Sequence, residues 1–161
     1  MRLGIISDTH DRLERTVRAV EMLTAAGAEA LIHCGDLLSP DIVDACGVLP
    51  FYFVFGNNED DWPALRRASK EVKATCLEWG GEVTLAGKRI AVTHGHLQSD
   101  VRRLLAAKPD YFLYGHSHIR ADRREAGIRR INPGALHRAD EYTVAVLDLE
   151  SDKLQFIEVP R

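Results

Sequence analysis

Five short apolar runs in this chain of 161 residues end in the same way, and that repeated ending constrains the fold more than any other feature. Leu3 to Ser7 runs into Asp8-Thr9-His10, and Leu31 to Cys34 into Gly35-Asp36. Phe51 to Phe55 runs into Gly56-Asn57-Asn58, Ile90 to Thr93 into His94-Gly95-His96, and Tyr111 to Tyr114 into Gly115-His116-Ser117-His118. Each run has the length and composition of a buried strand. Each finishes in a side chain able to bind a metal, and a glycine adjoins four of the five endings.

Amphipathic stretches separate the first runs. Leu13, Val17, Val20 and Leu23 suit one face of a helix over Asp11 to Ala26, with Gly27 as its stop. Ser39-Pro40 opens a short helix, Ser39 at the N-cap and Pro40 at the first helical position. Pro63 to Ser69 and Leu97 to Ala107 read as further helices. Glu82 to Leu85 and Lys88 to Thr93 predict a hairpin around Ala86-Gly87. The last third adds Ile119 to Glu125 and Ile128 to Asn132, then Tyr142 to Leu149 and Lys153 to Val159. Strand–helix alternation followed by antiparallel hairpins predicts an α/β fold with mixed sheets. The length predicts one domain over residues 1–161.

In open α/β sheets, sites form beyond the carboxyl ends of the strands. The five endings would therefore converge in space. Five of the seven histidines lie in them: His10, His94, His96, His116 and His118. Clustered His and Asp mark a metal or catalytic site. Mixed oxygen and nitrogen donors, with no nearby thiolate but Cys34, suit Mn, Fe, Zn, Ni or Co. They do not suit a Cys-bound structural zinc or an all-oxygen calcium site. The donors are too many for one tetrahedral ion and fit two ions with a carboxylate between them.

Charge and composition narrow the partners. Lys plus Arg is 21 and Asp plus Glu is 24, a formal net charge of −3. Nucleic acid is thus not indicated by charge. No apolar run approaches the roughly 20 residues of a membrane-spanning helix. A charged loop follows the first strand directly, unlike a signal peptide. The expectation is a cytoplasmic protein away from membranes. Cys34, Cys46 and Cys76 carry no C-x-x-C spacing and are expected as buried small hydrophobes. No G-x-G-x-x-G or P-loop pattern occurs.

The ordered endings Asp8/His10, Gly35-Asp36, Gly56-Asn57, His94-Gly95-His96 and Gly115-His116-Ser117-His118 resemble the calcineurin-like metallophosphoesterase superfamily. The short length, the Thr93-His94-Gly95-His96 form and the Asn132-Pro133-Gly134-Ala135 segment resemble its small prokaryotic phosphodiesterase branch. That branch is itself similar to the vacuolar-sorting scaffold subunit of retromer. The resemblance implies a four-layer α/β/β/α sandwich with two divalent ions, manganese foremost, with Ni, Fe, Zn, Co or Mg as alternatives. One ion would be held by Asp8, His10, Asp36 and His118. The other would be held by Asp36, Asn57, His94 and His116, with Asp36 shared. The implied activity is hydrolysis of a phosphate ester, most readily a diester, by in-line attack of a hydroxide bridging the ions. Asp36, Asn57, His94 and His96 would be the catalytic residues.

Two positions depart from the pattern. Many relatives carry His where this chain has Asn58, and Asn cannot act as a general acid. General acid catalysis is typically worth ~10²–10⁴-fold, so the chain is expected to favour good leaving groups. Asn58 and His96 are then the candidate substrate contacts, and His96 the candidate proton donor. Ala135 stands where relatives often carry Ser. The alternative readings are a phosphomonoesterase and a non-catalytic scaffold; retention of every implied ligand weighs against the scaffold.

Other residues carry plainer expectations. His33 is a hydrogen-bonded core histidine; His137 is a surface one, with an approach to the site from the Asn132-Pro133-Gly134 turn as its alternative. The pairs Arg102-Arg103, Arg123-Arg124 and Arg129-Arg130 lie on solvated faces. Phe51, Tyr52, Phe53 and Trp62 are packing groups, with a place on the substrate rim as the alternative for Trp62, which closely follows Asn58-Glu59-Asp60. A homodimer or higher oligomer is expected, with the Phe51 to Phe55 strand and the Pro-opened helices as candidate faces.

Overall fold

The computed structural model describes residues 1–161. The first half alternates β1 (Arg2–Ile6), α1 (Leu13–Ala25), β2 (Ala30–His33), α2 (Pro40–Cys46), β3 (Phe51–Phe53), α3 (Trp62–Glu71) and β4 (Thr75–Cys76). Then come β5 (Gly80–Leu85), β6 (Lys88–Thr93), α4 (Gln98–Ala106) and β7 (Tyr111–Leu113). The chain closes with β8 (Ala121–Glu125), β9 (Ile128–Asn132), β10 (Thr143–Asp148) and β11 (Lys153–Glu158).

These strands build two mixed sheets, one in the order β11-β10-β1-β2-β3-β4 and one in the order β5-β6-β7-β9-β8. In the first, β1 to β4 run parallel, with Ile5 beside Ile32 and Ile32 beside Tyr52. In the second, β6, β7 and β9 run parallel, with Val92 beside Leu113 and Leu113 beside Ile131. Side chains alternate across a strand, and both faces here are buried. Leu3 and Ile5 of β1, Ile32 of β2 and Leu147 of β10 meet Ile90, Val92, Leu113 and Ile131 between the sheets. Ile6, Leu31, Phe53 and Val146 point outward against Val20, Leu23, Ile42 and Leu65 of α1 to α3. On the other sheet, Ala91, Phe112 and Ile128 pack under Leu104 of α4. Double burial is why the strands read as continuous apolar runs instead of alternating ones. The result is the expected α/β/β/α order of layers.

Several local expectations are revised. Ser39 occupies the N-cap of α2 with extended φ −135° but does not cap it. Its hydroxyl donates instead to Asp11. α3 begins at Trp62, one residue early, because the Asp61 carboxylate accepts from Ala64 N–H at 2.9 Å and caps it. The strand β4 has only two residues, too few to leave a periodic signal. Phe51, Phe53 and Phe55 are buried under the helices, so this segment offers no dimer face. Cys34 and Cys46 are buried as expected, while Cys76 is half-exposed.

Arg129 also departs from expectation, being 7% exposed. Its guanidinium forks onto Asp122 at 2.9 and 2.8 Å and reaches Asp152 at 2.7 Å. Asp152 also accepts from the Tyr111 hydroxyl at 2.8 Å and from Arg124. This network ties the β8–β9 hairpin to the turn between β10 and β11, hence one sheet to the other. Burial would raise the Asp152 carboxyl, but Arg129, Tyr111 and Arg124 outweigh it and bring it down to about 2. A depressed carboxylate stabilises the fold above its ordinary value near 3.8, and that contribution is lost as pH falls towards about 2. Asp152→Asn should therefore lower the melting temperature at neutral pH, with the gap to wild type closing between about pH 4 and 2. A pH-independent gap in thermal denaturation would show that the charge is not what matters.

Candidate metal centre

The parallel strands of both sheets end at the same edge, and their following loops meet there. Backbone bonds lace the first two loops: Asp8 N–H to Gly35 O at 3.0 Å and His10 N–H to Asp36 O at 3.0 Å. Glu59 joins the third, accepting from Leu37 N–H at 2.6 Å and from Gly56 N–H at 2.7 Å. Asp8, His10, Asp36, His116 and His118 all adopt positive φ, between 43° and 68°. That conformation costs a non-glycine residue about 1 kcal/mol or more and concentrates at functional sites.

The two carboxylates are buried and oriented. Asp8 Oδ2 accepts from the Ser7 hydroxyl at 2.5 Å and from His116 N–H at 3.1 Å. That leaves Oδ1 buried without a hydrogen bond, 3.1 Å from His118 Nε2, 3.8 Å from His10 Nε2 and 3.9 Å from His94 Nε2. Asp36 Oδ2 stands 3.3 Å from His10 Nε2 and 3.4 Å from His94 Nε2. Asn58 holds this carboxylate from the side, its backbone N–H 3.0 Å from Oδ1 and its amide nitrogen 2.7 Å from Oδ2.

Backbone carbonyls set the histidine tautomers. His94 Nδ1 lies 2.8 Å from Cys34 O, and His118 Nδ1 lies 3.3 Å from Arg138 O. A carbonyl can only accept, so each Nδ1 carries the proton, and in a neutral ring Nε2 presents its lone pair. Around His94 that lone pair faces Asn57 Oδ1 at 3.1 Å as well as the carboxylates. Acceptors meeting acceptors require a cation between them, either a proton on the ring or a metal ion. The histidines respond accordingly. Burial opposes protonation of His10, but Asp36 and Asp8 prevail and raise it to about 9. His94 is raised against burial by Asp36 and Asp8, and His118 is raised chiefly by Asp8. Both carboxyls are held well below the usual range, these imidazoles outweighing burial.

Two overlapping donor sets result, Asp8 with His10 and His118, and Asp8 with Asp36 and His94, the ligand atoms within each set lying within 4.8 Å of one another. The remaining sequence candidates border these sets. Asn57 reaches His94. The exposed His116 ring lies 5.1 Å from that of His94, and His96 lies 5.4 Å from it. Burial beside His94 and His116 lowers the pKa of His96. The donor chemistry and the orphaned Asp8 Oδ1 and His10 Nε2 fit divalent cations.

His33 is the core residue expected. It accepts from Gly35 N–H at 3.1 Å and contacts the Thr9 hydroxyl at 3.1 Å, and burial keeps it neutral, pushed down to about 3. His137 is nearer than a surface reading implies, its ring 4.8 Å from that of His10. Sequence reasoning missed Ser7 and Glu59. Ser7 ends the apolar run before Asp8, which was the available signal; Glu59 lies past Asn57-Asn58 in a polar loop, and its role emerges only through Leu37 and Gly56.

A model of the calcineurin-like phosphoesterase superfamily domain matches residues 1–152. The chain belongs to that superfamily. It is 28% identical over 163 aligned positions to the phosphodiesterase MJ0936 of Methanocaldococcus jannaschii, which spans 98% of each chain. A solved archaeal phosphodiesterase superposes with a TM-score of 0.90 at 27% identity, covering 99% of this chain and all of that one. A Vps29 of Entamoeba histolytica solved with Zn²⁺ shares the fold, with a TM-score of 0.65 at 14% identity over 98% of this chain and 99% of that one. The two mixed sheets and four helices are thus the calcineurin-like phosphoesterase fold. No helix is long and apolar enough to cross a membrane.

Close packing around the carboxylates explains two of the glycines. A Cβ on Gly56 would lie 2.1 Å from Asp36 Oδ1, and one on Gly115 would lie 2.0 Å from Ser7 Oγ and 2.7 Å from Asp8 Oδ2. Gly56→Ala must therefore displace Asp36. Its affinity for Mn²⁺ or Zn²⁺, measured by calorimetry, should fall on the order of 10–100-fold, as when groups orienting a ligand are lost. Unchanged affinity in a folded variant would contradict this placement of Asp36.

Proposed function

We propose that this protein is a metal-dependent phosphodiesterase using two divalent ions, with manganese the foremost candidate. The observation that carries the reading is the pair of buried carboxylates facing three imidazole Nε2 atoms in overlapping sets. Asp8, His10, Asp36 and His118 would hold one ion; Asp36, Asn57, His94 and His116 would hold the other. Asp8 is common to the two donor sets, but Asp36 would be the shared ligand, since its Oδ2 stands closer to His10 and His94, at 3.3 and 3.4 Å, than Asp8 Oδ1 does, at 3.8 and 3.9 Å. When bound, the two ions supply a hydroxide for in-line attack at phosphorus and neutralise charge on the phosphoryl oxygens.

The chain's own residues orient and tune this site. Cys34 O and Arg138 O fix the ring directions of His94 and His118. Ser7 and the His116 amide leave one Asp8 oxygen free for the cation. Asn58 steadies Asp36 and has no proton to give a leaving alkoxide. His96, kept neutral by burial and by His94 and His116, is suited to a hydrogen bond to substrate more than to proton delivery. Both features favour diesters with good leaving groups.

The test is hydrolysis of bis(p-nitrophenyl) phosphate and p-nitrophenyl phosphate by chelator-stripped protein reloaded separately with Mn, Ni, Zn or Mg. Metal should restore activity, with the diester faster, and Asp36→Asn should lose on the order of 10³-fold or more. Tight binding of two ions without turnover of either ester would refute the catalytic reading.

A further inference from the structure

On the Asn57 side of the metal cluster, a slot of about 330 Å³ opens between the loop after β3, the start of α3, the turn before β5 and the loop after β6. Its walls include Asn57, Trp62, Trp79, His96 and Leu97. The two indoles meet edge to face, with centroids 4.9 Å apart and planes at 84°. Neither is loose. The Trp62 indole N–H donates to Glu59 O at 2.8 Å, and Trp79 leans on the buried Phe55 ring at 5.3 Å. Trp62 is nevertheless 39% exposed and Leu97 38%. They are two of only six large apolar side chains that the fold leaves exposed, and both line this one slot.

The slot is continuous with the metal cluster. Asn57 belongs to both, its Oδ1 3.1 Å from His94 Nε2. His96 spans the gap between them, its ring 6.5 Å from Trp79 and 5.4 Å from His94. On the His118 side the surroundings have the opposite character: Ser117, Arg120, Arg138, Asp140 and Glu141 border a polar recess of about 430 Å³. A phosphodiester seated at the cluster thus meets an aromatic wall on one side and a charged one on the other.

We propose that the Trp62–Trp79 slot receives one ester substituent of the substrate and that this substituent is a planar aromatic group, a nucleobase or an aryl ring. The proposal rests on the phosphodiesterase reading and adds its specificity. A pre-oriented indole pair offers flat, polarisable surface at little entropic cost, and a planar ring gains more from it than a flexible chain does. A slot of this size admits one base or one ring.

The experiment is calorimetric binding of adenosine 5′-monophosphate, phenyl phosphate and ribose 5-phosphate to the Zn-loaded protein and to Trp62→Ala, Trp62→Phe and Leu97→Ala. All three ligands carry the same phosphate group, and only the last lacks a ring system that can stack. The aromatic ligands should bind on the order of tenfold tighter than ribose 5-phosphate, the worth of one ring–indole contact. Trp62→Ala should remove most of that gain, Leu97→Ala part of it, and Trp62→Phe little. Ribose 5-phosphate should bind all four proteins within about twofold. A gain with both aromatic ligands assigns the slot to rings in general, and a gain with the nucleotide alone assigns it to a nucleoside. Equal affinity for all three ligands, or a preference that survives Trp62→Ala, overturns the slot even if bis(p-nitrophenyl) phosphate is still hydrolysed. Absence of turnover on any diester removes the underlying reading, and the proposal with it, whatever the binding preference.

Discussion

Two buried carboxylate oxygens, Asp8 Oδ1 and Asp36 Oδ2, face the Nε2 atoms of His10, His94 and His118 at 3.1 to 3.9 Å. Much of the surrounding structure serves that meeting. Negative charge out of water is costly unless a cation answers it. Carbonyls fix the His94 and His118 tautomers, Ser7 and Asn58 fix the acids, and glycines at 56 and 115 let backbone approach within contact. The left-handed backbone at five of the candidate ligands is the local strain that this arrangement carries.

The fold supplies the convergence. Parallel strands in two separate sheets end at one edge, so β1, β2 and β3 bring candidate ligands from one sheet and β6 and β7 from the other. The ion cluster around Arg129 also joins the two sheets, through side chains of β8, β9 and the β10–β11 turn. Membership of the calcineurin-like phosphoesterase superfamily gives this geometry its chemical setting. A fold alone does not decide activity, which rests on the residues it brings together.

Much of this was legible in the sequence, for a definite reason. Strands buried on both faces appear as unbroken apolar runs, and a site at their carboxyl ends places its polar residues where each run stops. The strand-end positions of Asp8, Asp36, His94, His116 and His118 were all legible that way. What escaped has equally definite causes. β4 is two residues long. Ser39 faces Asp11, a partner 28 residues away, and no local capping rule anticipates it. Arg129 looks like one of a solvated pair until Asp122 and Asp152 are brought to it from other segments. Phe51 and Phe53 could be read as a dimer face because composition does not tell an inner strand from an edge one. Trp62 and Trp79 are 17 positions apart and meet only through α3, β4 and the turn before β5.

The most direct test of the central claim is a crystal structure of the Mn²⁺-loaded protein with anomalous scattering at the manganese edge. Two peaks about 3.5–4 Å apart are predicted, one against His10 and His118, one against His94 and His116, with Asp36 between them. A single peak, or peaks away from these side chains, would contradict it.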